Sequence, residues 1–252
     1  MISLHTLTQT LDDWMRPSEF QDYAPNGLQI EGRDQIERLA LGVTASVDVI
    51  SQALAWGADA LLVHHGYFWR NEPLTLTGMK GARVKRLMQA DVSLLAYHLP
   101  LDCHPEFGNN VALLQQLGFS NCSAVSGESG LLWEACIEPP MSPRELATHV
   151  ATSLHREPLL IESALGAVAI ERLIVCTGGA QDYLARAHQL GADAYLSGEI
   201  SERTTHEARE LGIHYVAAGH HATERYGVQS LGRKIESVLG LEVAFFDDHN
   251  PA

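Results

Sequence analysis

The apolar positions along the chain fall into short runs and helical periodicities that alternate in the order of an α/β protein. Leu4, Leu7, Leu11 and Trp14 recur at helical spacing and predict a helix over 1–15, with Asp12 and Asp13 on another face. Asp22-Tyr23-Ala24-Pro25-Asn26-Gly27 reads as a turn, from the backbone preferences of Pro, Asn and Gly. Leu39 to Val43 is a short apolar strand followed by a polar loop over 44–46. Val47, Ile50, Leu54 and Ala55 then predict a helix over 47–56 that closes near Gly57. The next run, Asp59-Ala60-Leu61-Leu62-Val63-His64-His65-Gly66, reads as a buried strand ending on two adjacent histidines. An aromatic loop, Tyr67-Phe68-Trp69-Arg70-Asn71-Glu72-Pro73, leads to a helix over 79–90 that is basic on one side (Lys80, Arg83, Lys85, Arg86). A strand over 92–97 and a helix over 109–117 follow.

The texture changes over 121–165. A strand at 131–137, a Pro-Pro break, a helix at 142–154 and a strand at 158–161 form a β-α-β piece. Ser142-Pro143-Arg144-Glu145 opens its helix with an N-cap residue, Pro at N1 and Glu at N3. The earlier pattern then returns. A strand at 173–176, the loop Thr177-Gly178-Gly179, a helix at 180–190 and a strand at 193–199 are followed by a helix at 201–211 and a strand at 213–218. That strand ends in Gly219-His220-His221-Ala222-Thr223-Glu224, and a helix over 227–239 and a strand over 241–246 complete the chain.

The two halves match without gaps. Leu39 to Gly66 and Leu173 to Ile200 each read strand, loop, helix, Gly-Ala-Asp-Ala, strand, at a constant offset of 134 residues. Such internal similarity decides the fold reading. It predicts an α/β protein of duplicated strand-helix-strand halves, with segments 1–120, 121–166 (a short inserted β-α-β piece) and 167–252. After a short gap the match continues, with His98-x-x-x-Asp102 in the first half and His220-x-x-x-Glu224 in the second, each at a strand end.

Composition narrows the functional classes. The chain carries 17 basic against 31 acidic residues, a formal net charge of −14, which disfavours non-specific binding to nucleic acid or an anionic membrane. Four scattered cysteines (Cys103, Cys122, Cys136, Cys176) lack any C-x-x-C spacing, so neither a zinc ribbon nor a redox motif is expected. No apolar run approaches a membrane span and no signal peptide is legible, so reduced thiols and a cytoplasmic location are expected.

An isolated His-His pair is ordinarily one packed and one solvated imidazole. Two further His-x-x-x-carboxylate pairs at equivalent positions of an internal repeat turn His64 and His65 towards metal. Three or more imidazoles with two carboxylates exceed the three protein ligands of a usual catalytic zinc site, and they suit two divalent ions. Mixed N/O ligands without thiolate fit Zn²⁺, Mn²⁺, Fe²⁺ or Ni²⁺. A two-metal site activates a shared water and polarises a substrate oxygen, which is hydrolytic chemistry. Glu199 falls at the repeat position of His65 and is a candidate catalytic base or outer partner. The Thr177-Gly178-Gly179 loop is a candidate anion cradle at a helix N-terminus. The competing reading is a binding or assembly protein that engages a partner such as nucleic acid, whose sequence support is the basic helix and the aromatic loop.

Asp22-Tyr23-Ala24-Pro25-Asn26-Gly27-Leu28-Gln29, Gly42-Val43-Thr44-Ala45-Ser46, His64-His65-Gly66, His98-Leu99-Pro100-Leu101-Asp102 and Gly219-His220-His221-Ala222-Thr223-Glu224 together resemble the dinuclear-metal Nif-three-like family. Its members are often called GTP cyclohydrolase 1 type 2 homologues. The resemblance covers nearly the whole chain and is nearest to the short bacterial members. It implies two intertwined α/β subdomains, a toroidal homohexamer with metal sites facing its interior, and a cytoplasmic location. It also implies two divalent ions held by His64, His65, Asp102, His220 and Glu224, acting on a small polar or nucleotide-like substrate. His98 enters through the repeat, as a ligand or as an outer partner of one.

Overall fold

The computed structural model describes residues 1–252. In chain order the elements are β1 (Ile2–Ser3), α1 (Leu4–Met15), β2 (Gly27–Ile30), β3 (Gln35–Ile36), β4 (Arg38–Thr44), α2 (Val47–Trp56), β5 (Ala60–His65), α3 (Gly78–Gln89), β6 (Ser93–Ala96), α4 (Leu99–Asp102) and α5 (Asn109–Gln116). There follow β7 (Cys122–Ala124), β8 (Trp133–Met141), α6 (Pro143–Leu154), β9 (Leu159–Ile161), β10 (Ile170–Cys176), α7 (Leu184–Gln189), β11 (Ala194–Ser197), α8 (Glu202–Leu211), β12 (His214–Ala217), α9 (His220–Leu239) and β13 (Glu242–Phe245). The chain forms two compact units: unit 1 is Met1–Phe107 with Val228–His249, and unit 2 is Gly108–Gly227 with Asn250–Ala252.

These units differ from the segments read in the sequence. The stretch 121–166 is not a separate insert, because β8 hydrogen-bonds to β10 and β9 to β12. Its strands complete the sheet of unit 2. Residues Val228–His249 belong to unit 1, where β13 lies parallel beside β4.

Unit 1 is built on a five-stranded sheet in the order β13-β4-β5-β6-β2, parallel except for β2. Successive residues of each strand enter different cores. Leu39, Leu41, Ala60 and Leu62 pack with Leu4, Leu7 and Leu11 of α1 and with Val228, Leu231 and Ile235 of α9. Ala40, Leu61 and Val63 pack with Val49, Ile50 and Ala53 of α2 and Val84 and Leu87 of α3. A sheet covered on both faces needs apolar residues at every position, which explains the unbroken Ala60–Val63 run. Unit 2 repeats the scheme on a six-stranded sheet, β7-β8-β10-β11-β12-β9. Leu173, Val175 and Leu196 face α6, while Ile174, Tyr195 and Tyr215 face α7 and α8.

The matched segments share more than element order. Leu39 pairs with Ala60 in unit 1 and Leu173 with Ala194 in unit 2, both in parallel ladders. Asp59 Oδ2 accepts from the backbone N–H groups of Glu37 and Arg38, and Asp193 Oδ2 accepts from those of Glu171 and Arg172. Arg38 donates to the Trp56 carbonyl and Arg172 to that of Leu190.

Most predicted elements form within a few residues of their expected bounds. Ser3 and Ser46 cap α1 and α2 by accepting from Thr6 and Val49, and Ser142 with Glu145 makes the full capping box of α6. The expected Pro-Pro break is absent. β8 runs through Pro139-Pro140 to Met141, because both prolines lie in an irregular stretch between the Cys136–Arg172 and Met141–Ile170 pairs of the β10 ladder and beyond the Trp133–Ala135 stretch that β7 covers, so neither missing N–H interrupts a ladder. The final helix begins at His220 rather than 227, and a short helix, α4, follows His98. His220 and Glu224 therefore share one face of the first turn of α9, where a spacing of four brings side chains together, whereas His98 is the N-cap of α4 and Asp102 its last residue.

Candidate metal centre

In unit 1 the site residues are placed by the carboxyl ends of β5 and β6, the position at which open α/β sheets hold ligands. Register fixes two of the imidazoles. Thr44 pairs with His65 across the β4–β5 ladder, and the Thr44 hydroxyl shares a hydrogen bond with His65 Nδ1 at 3.2 Å. Val63 pairs with Ala96, which brings the Tyr97 carbonyl beside His64, and His64 Nδ1 donates to it at 3.0 Å. His64 is fully buried. A carbonyl only accepts, so the His64 proton sits on Nδ1 and the lone pair of Nε2 is exposed to its other neighbour. That neighbour is Asp102, whose Oδ1 lies 3.4 Å from His64 Nε2.

His98 is fixed by Asp22. The His98 Nδ1–H donates to Asp22 Oδ1 at 2.7 Å, and its backbone N–H donates to Asn26 Oδ1 at 2.7 Å. Asp22 also accepts from Asn26 Nδ2, from the Tyr23 N–H and from the Leu99 N–H. Burial alone would raise its pKa, but these hydrogen bonds and the His98 imidazole outweigh burial and hold the carboxyl well below the usual range. Ring nitrogens of His64, His65 and His98 lie within 4.8 Å of one another. The repeat had paired His98 with Asp102, whereas the structure pairs Asp102 with His64 and gives His98 its own carboxylate, Asp22.

In unit 2 the set is Glu199, His220 and Glu224, at the carboxyl ends of β11 and β12. His220 Nδ1 donates to Glu199 Oε1 at 2.7 Å, and His220 Nε2 lies 3.2 Å from Glu224 Oε2. Burial lowers the affinity of His220 for a proton, yet the hydrogen bonds and charges of Glu224 and Glu199 prevail and raise its pKa to about 9. Gly178 makes room for this pair. A Cβ there would stand 2.1 Å from Glu224 Oε1 and 3.2 Å from His220 Nε2, and its φ of +70° is a glycine conformation. Gly178→Ala is expected to displace Glu224 and to lower bound metal well below the wild-type level while the far-ultraviolet spectrum stays native. Elemental analysis of the variant checks this.

The anion cradle expected at Thr177-Gly178-Gly179 does not form. The Thr177 N–H donates to Asn110 Oδ1 and the Gly178 N–H to Thr223 Oγ1. Two of the three amides are thus already used inside unit 2, and the loop runs into a 3₁₀ turn, Gln181–Tyr183, before α7.

The donor set fits divalent metal. Four imidazoles present Nδ1 to a protein partner (Tyr97 O, Thr44 Oγ1, Asp22 and Glu199), so each keeps Nε2 for a further partner. This is the arrangement by which outer hydrogen bonds fix the tautomer and raise the basicity of ligating histidines. Two of the Nε2 atoms, those of His64 and His220, already face a carboxylate oxygen.

The family model Duf34/NIF3 (NGG1p interacting factor 3) matches residues 2–251. The chain belongs to the DUF34/NIF3 family. A family relative from Allochromatium vinosum, named GTP cyclohydrolase 1 type 2 homolog, is 50% identical over 252 residues, covering 100% of this chain and 98% of its own. A Pseudomonas aeruginosa relative of the same name is 49% identical over 253 residues, covering 100% and 99%. Among solved structures, protein ybgI, described as of unknown function, superposes with a TM-score of 0.95 at 40% identity, and covers 100% of both chains. TTHA1606 from Thermus thermophilus gives 0.89 at 30% identity, also over 100% of both. The DUF34/NIF3 fold is therefore shared along the whole chain. No helix is long and apolar enough to cross a membrane.

Against this DUF34/NIF3 background, sequence reasoning named Glu199, which stands behind His220, and missed the outer partners of unit 1. Asp22 reads as a turn residue, and nothing in its spacing points to His98, 76 positions away. Thr44 reads as loop, and the Tyr97 contribution is a backbone carbonyl that no side-chain pattern encodes.

Proposed function

We propose that this protein is a metal-dependent hydrolase in which His64, His65 and Asp102, together with His220 and Glu224, hold two divalent metal ions. The observation that carries the reading is the common orientation of the imidazoles. Each Nδ1 is tied to the protein, and the Nε2 atoms of His64 and His220 are paired with buried carboxylates. His98 has the same form, with Asp22 behind it, and is assigned as a ligand or as a group bordering the ligands. When bound, such ions lower the pKa of a coordinated water and polarise a substrate oxygen. The residues of this chain hold and orient. Tyr97 O and Glu199 each accept from an Nδ1–H, on His64 and His220, the Thr44 hydroxyl orients His65, and Glu199 acts through His220 rather than as a ligand.

The substrate class is a small polar or nucleotide-like molecule, supported by the name carried by relatives up to 50% identical. The family resemblance further supports a homohexameric ring and a cytoplasmic location. The alternative, a ring that engages nucleic acid without turnover, gains little from α3. Lys80 bonds to the Pro73 carbonyl and faces Glu72, Arg86 donates to Ser51 Oγ, and Arg83 Nε is buried. Most of the basic side is thus spent within unit 1.

The test is a screen of nucleotides and phosphoesters with the Mn²⁺- or Zn²⁺-loaded protein. Turnover that is abolished by His64→Ala with Glu224→Ala is expected. Turnover that survives the double substitution, or its absence from every substrate, would sink the reading.

A further inference from the structure

We propose that Trp69 and Tyr23 form a ring-binding wall beside the imidazoles of unit 1, and that the ligand of this centre carries a planar aromatic heterocycle. The inference rests on the hydrolase reading and names the part of the substrate that the metal ligands would not hold.

Three aromatic residues stand in a row at 67–69, and the structure gives them different tasks. Tyr67 is buried, and its hydroxyl donates to the Ala45 carbonyl at 2.6 Å. Phe68 lies beneath the Lys80 ammonium at 5.6 Å. Trp69 turns to the metal side. Its ring centroid is 4.9 Å from that of His98, at 82°, and 5.9 Å from that of His65. Tyr23 meets the same His98 ring, edge-on at 6.4 Å, and is 58% exposed. The Arg70 guanidinium lies over the Tyr23 ring at 5.7 Å. Two aromatic side chains and a stacked arginine thus border the one imidazole whose other side is fixed by Asp22.

The wall is held in place. The Arg70 N–H donates to the Tyr23 carbonyl, and Arg70 Nη2 donates to that of Asp22. Gln29 bonds to Pro25 O and to both backbone groups of Tyr67. The loops at 22–26 and 67–72 are therefore laced to each other and to β2. Phe68 adopts φ +67°, a left-handed conformation that a bulky residue takes only when its surroundings impose it. That turn sends residues 68 and 69 to different neighbours. Full burial, as at Tyr67, would close these rings to a ligand. A half-buried indole and an exposed phenol beside polar imidazoles instead offer π-faces to a flat ligand, with arginine adding a cationic edge.

The experiment is a calorimetric titration of the Mn²⁺-loaded full chain with guanosine and, separately, with ribose 5-phosphate, metal content being measured on every sample. Guanosine is expected to bind at least about tenfold more tightly than ribose 5-phosphate, Trp69→Ala to weaken guanosine about tenfold, and Trp69→Phe to restore most of the loss. Tyr23→Ala is expected to weaken guanosine as well. Unchanged guanosine binding by Trp69→Ala at wild-type metal content overturns the proposal. So does equal binding of the two probes, or no binding of guanosine. A wild-type chain that takes up no metal sinks the hydrolase reading instead. The same titrations on that metal-free chain then decide the wall by the same criteria.

Discussion

Elemental analysis of the purified chain is expected to find two divalent ions per polypeptide, and His64→Ala and Glu224→Ala are each expected to lose most of them. His64 is the strongest single test because its ring is buried and both nitrogens face a polar partner. It is fully buried, its Nδ1–H is given to Tyr97 O, and its Nε2 faces Asp102. Alanine removes a donor and leaves the Asp102 carboxylate, itself buried, beside a gap where the imidazole stood. Glu224 is equivalent in unit 2, where it lies against His220 in the space that Gly178 leaves. Outer partners should rank below ligands. Glu199→Gln keeps the shape but weakens the acceptor behind His220, and losses of about 10–100-fold in metal affinity are expected from such changes. Competition with a calibrated chelator measures the order. Metal content unaffected by His64→Ala, or a larger loss in Glu199→Gln than in Glu224→Ala, would contradict the assignment.

A second large effect is expected in the strand that carries the histidines. Leu62 is 1% exposed and packs with Leu95, Tyr97 and residues of α1 and α9. Truncation at such a site removes buried methyl groups and leaves a cavity, so Leu62→Ala is expected to destabilise unit 1 by about 2–5 kcal/mol. Leu62 lies two residues before His64, on the same side of β5 by strand alternation. Its truncation therefore loosens the floor beneath the ligand without touching a donor atom. Urea unfolding of the metal-free protein should show the loss. At saturating metal part of it should be recovered, because an ion that binds only the folded state stabilises by mass action. A midpoint unchanged from wild type would show that the β5 core is not what holds His64.

Much of the fold was legible because burial on both faces of a parallel sheet leaves a strong mark. Ala60–Val63 and Leu173–Cys176 are unbroken apolar runs, and the helices between strands carry clear periodicity. The capping box at Ser142 and Glu145 was equally plain, since it depends on neighbours in sequence. What misled was also local. Pro139-Pro140 read as a stop, although an irregular stretch of the β8–β10 ladder accepts it. Gly178 read as a backbone cradle, although its role is to leave space for Glu224.

The sequence by itself determined the α/β class, the matched strand-helix-strand segments and the residue types of the candidate metal set. Those follow from hydrophobic period and from the rarity of His-x-x-x-carboxylate pairs placed at equivalent points. Only the tertiary structure decided the pairing. Asp102 went to His64, Asp22 to His98 and Glu199 to His220, because ladder register and loop closure bring together groups that lie 21 to 76 residues apart. It also separated Trp69 from Tyr67 and Phe68. Hydrogen bonds depend on distances of a few tenths of an ångström, and no one-dimensional pattern records where a carbonyl or carboxylate will stand once the sheet has closed around it.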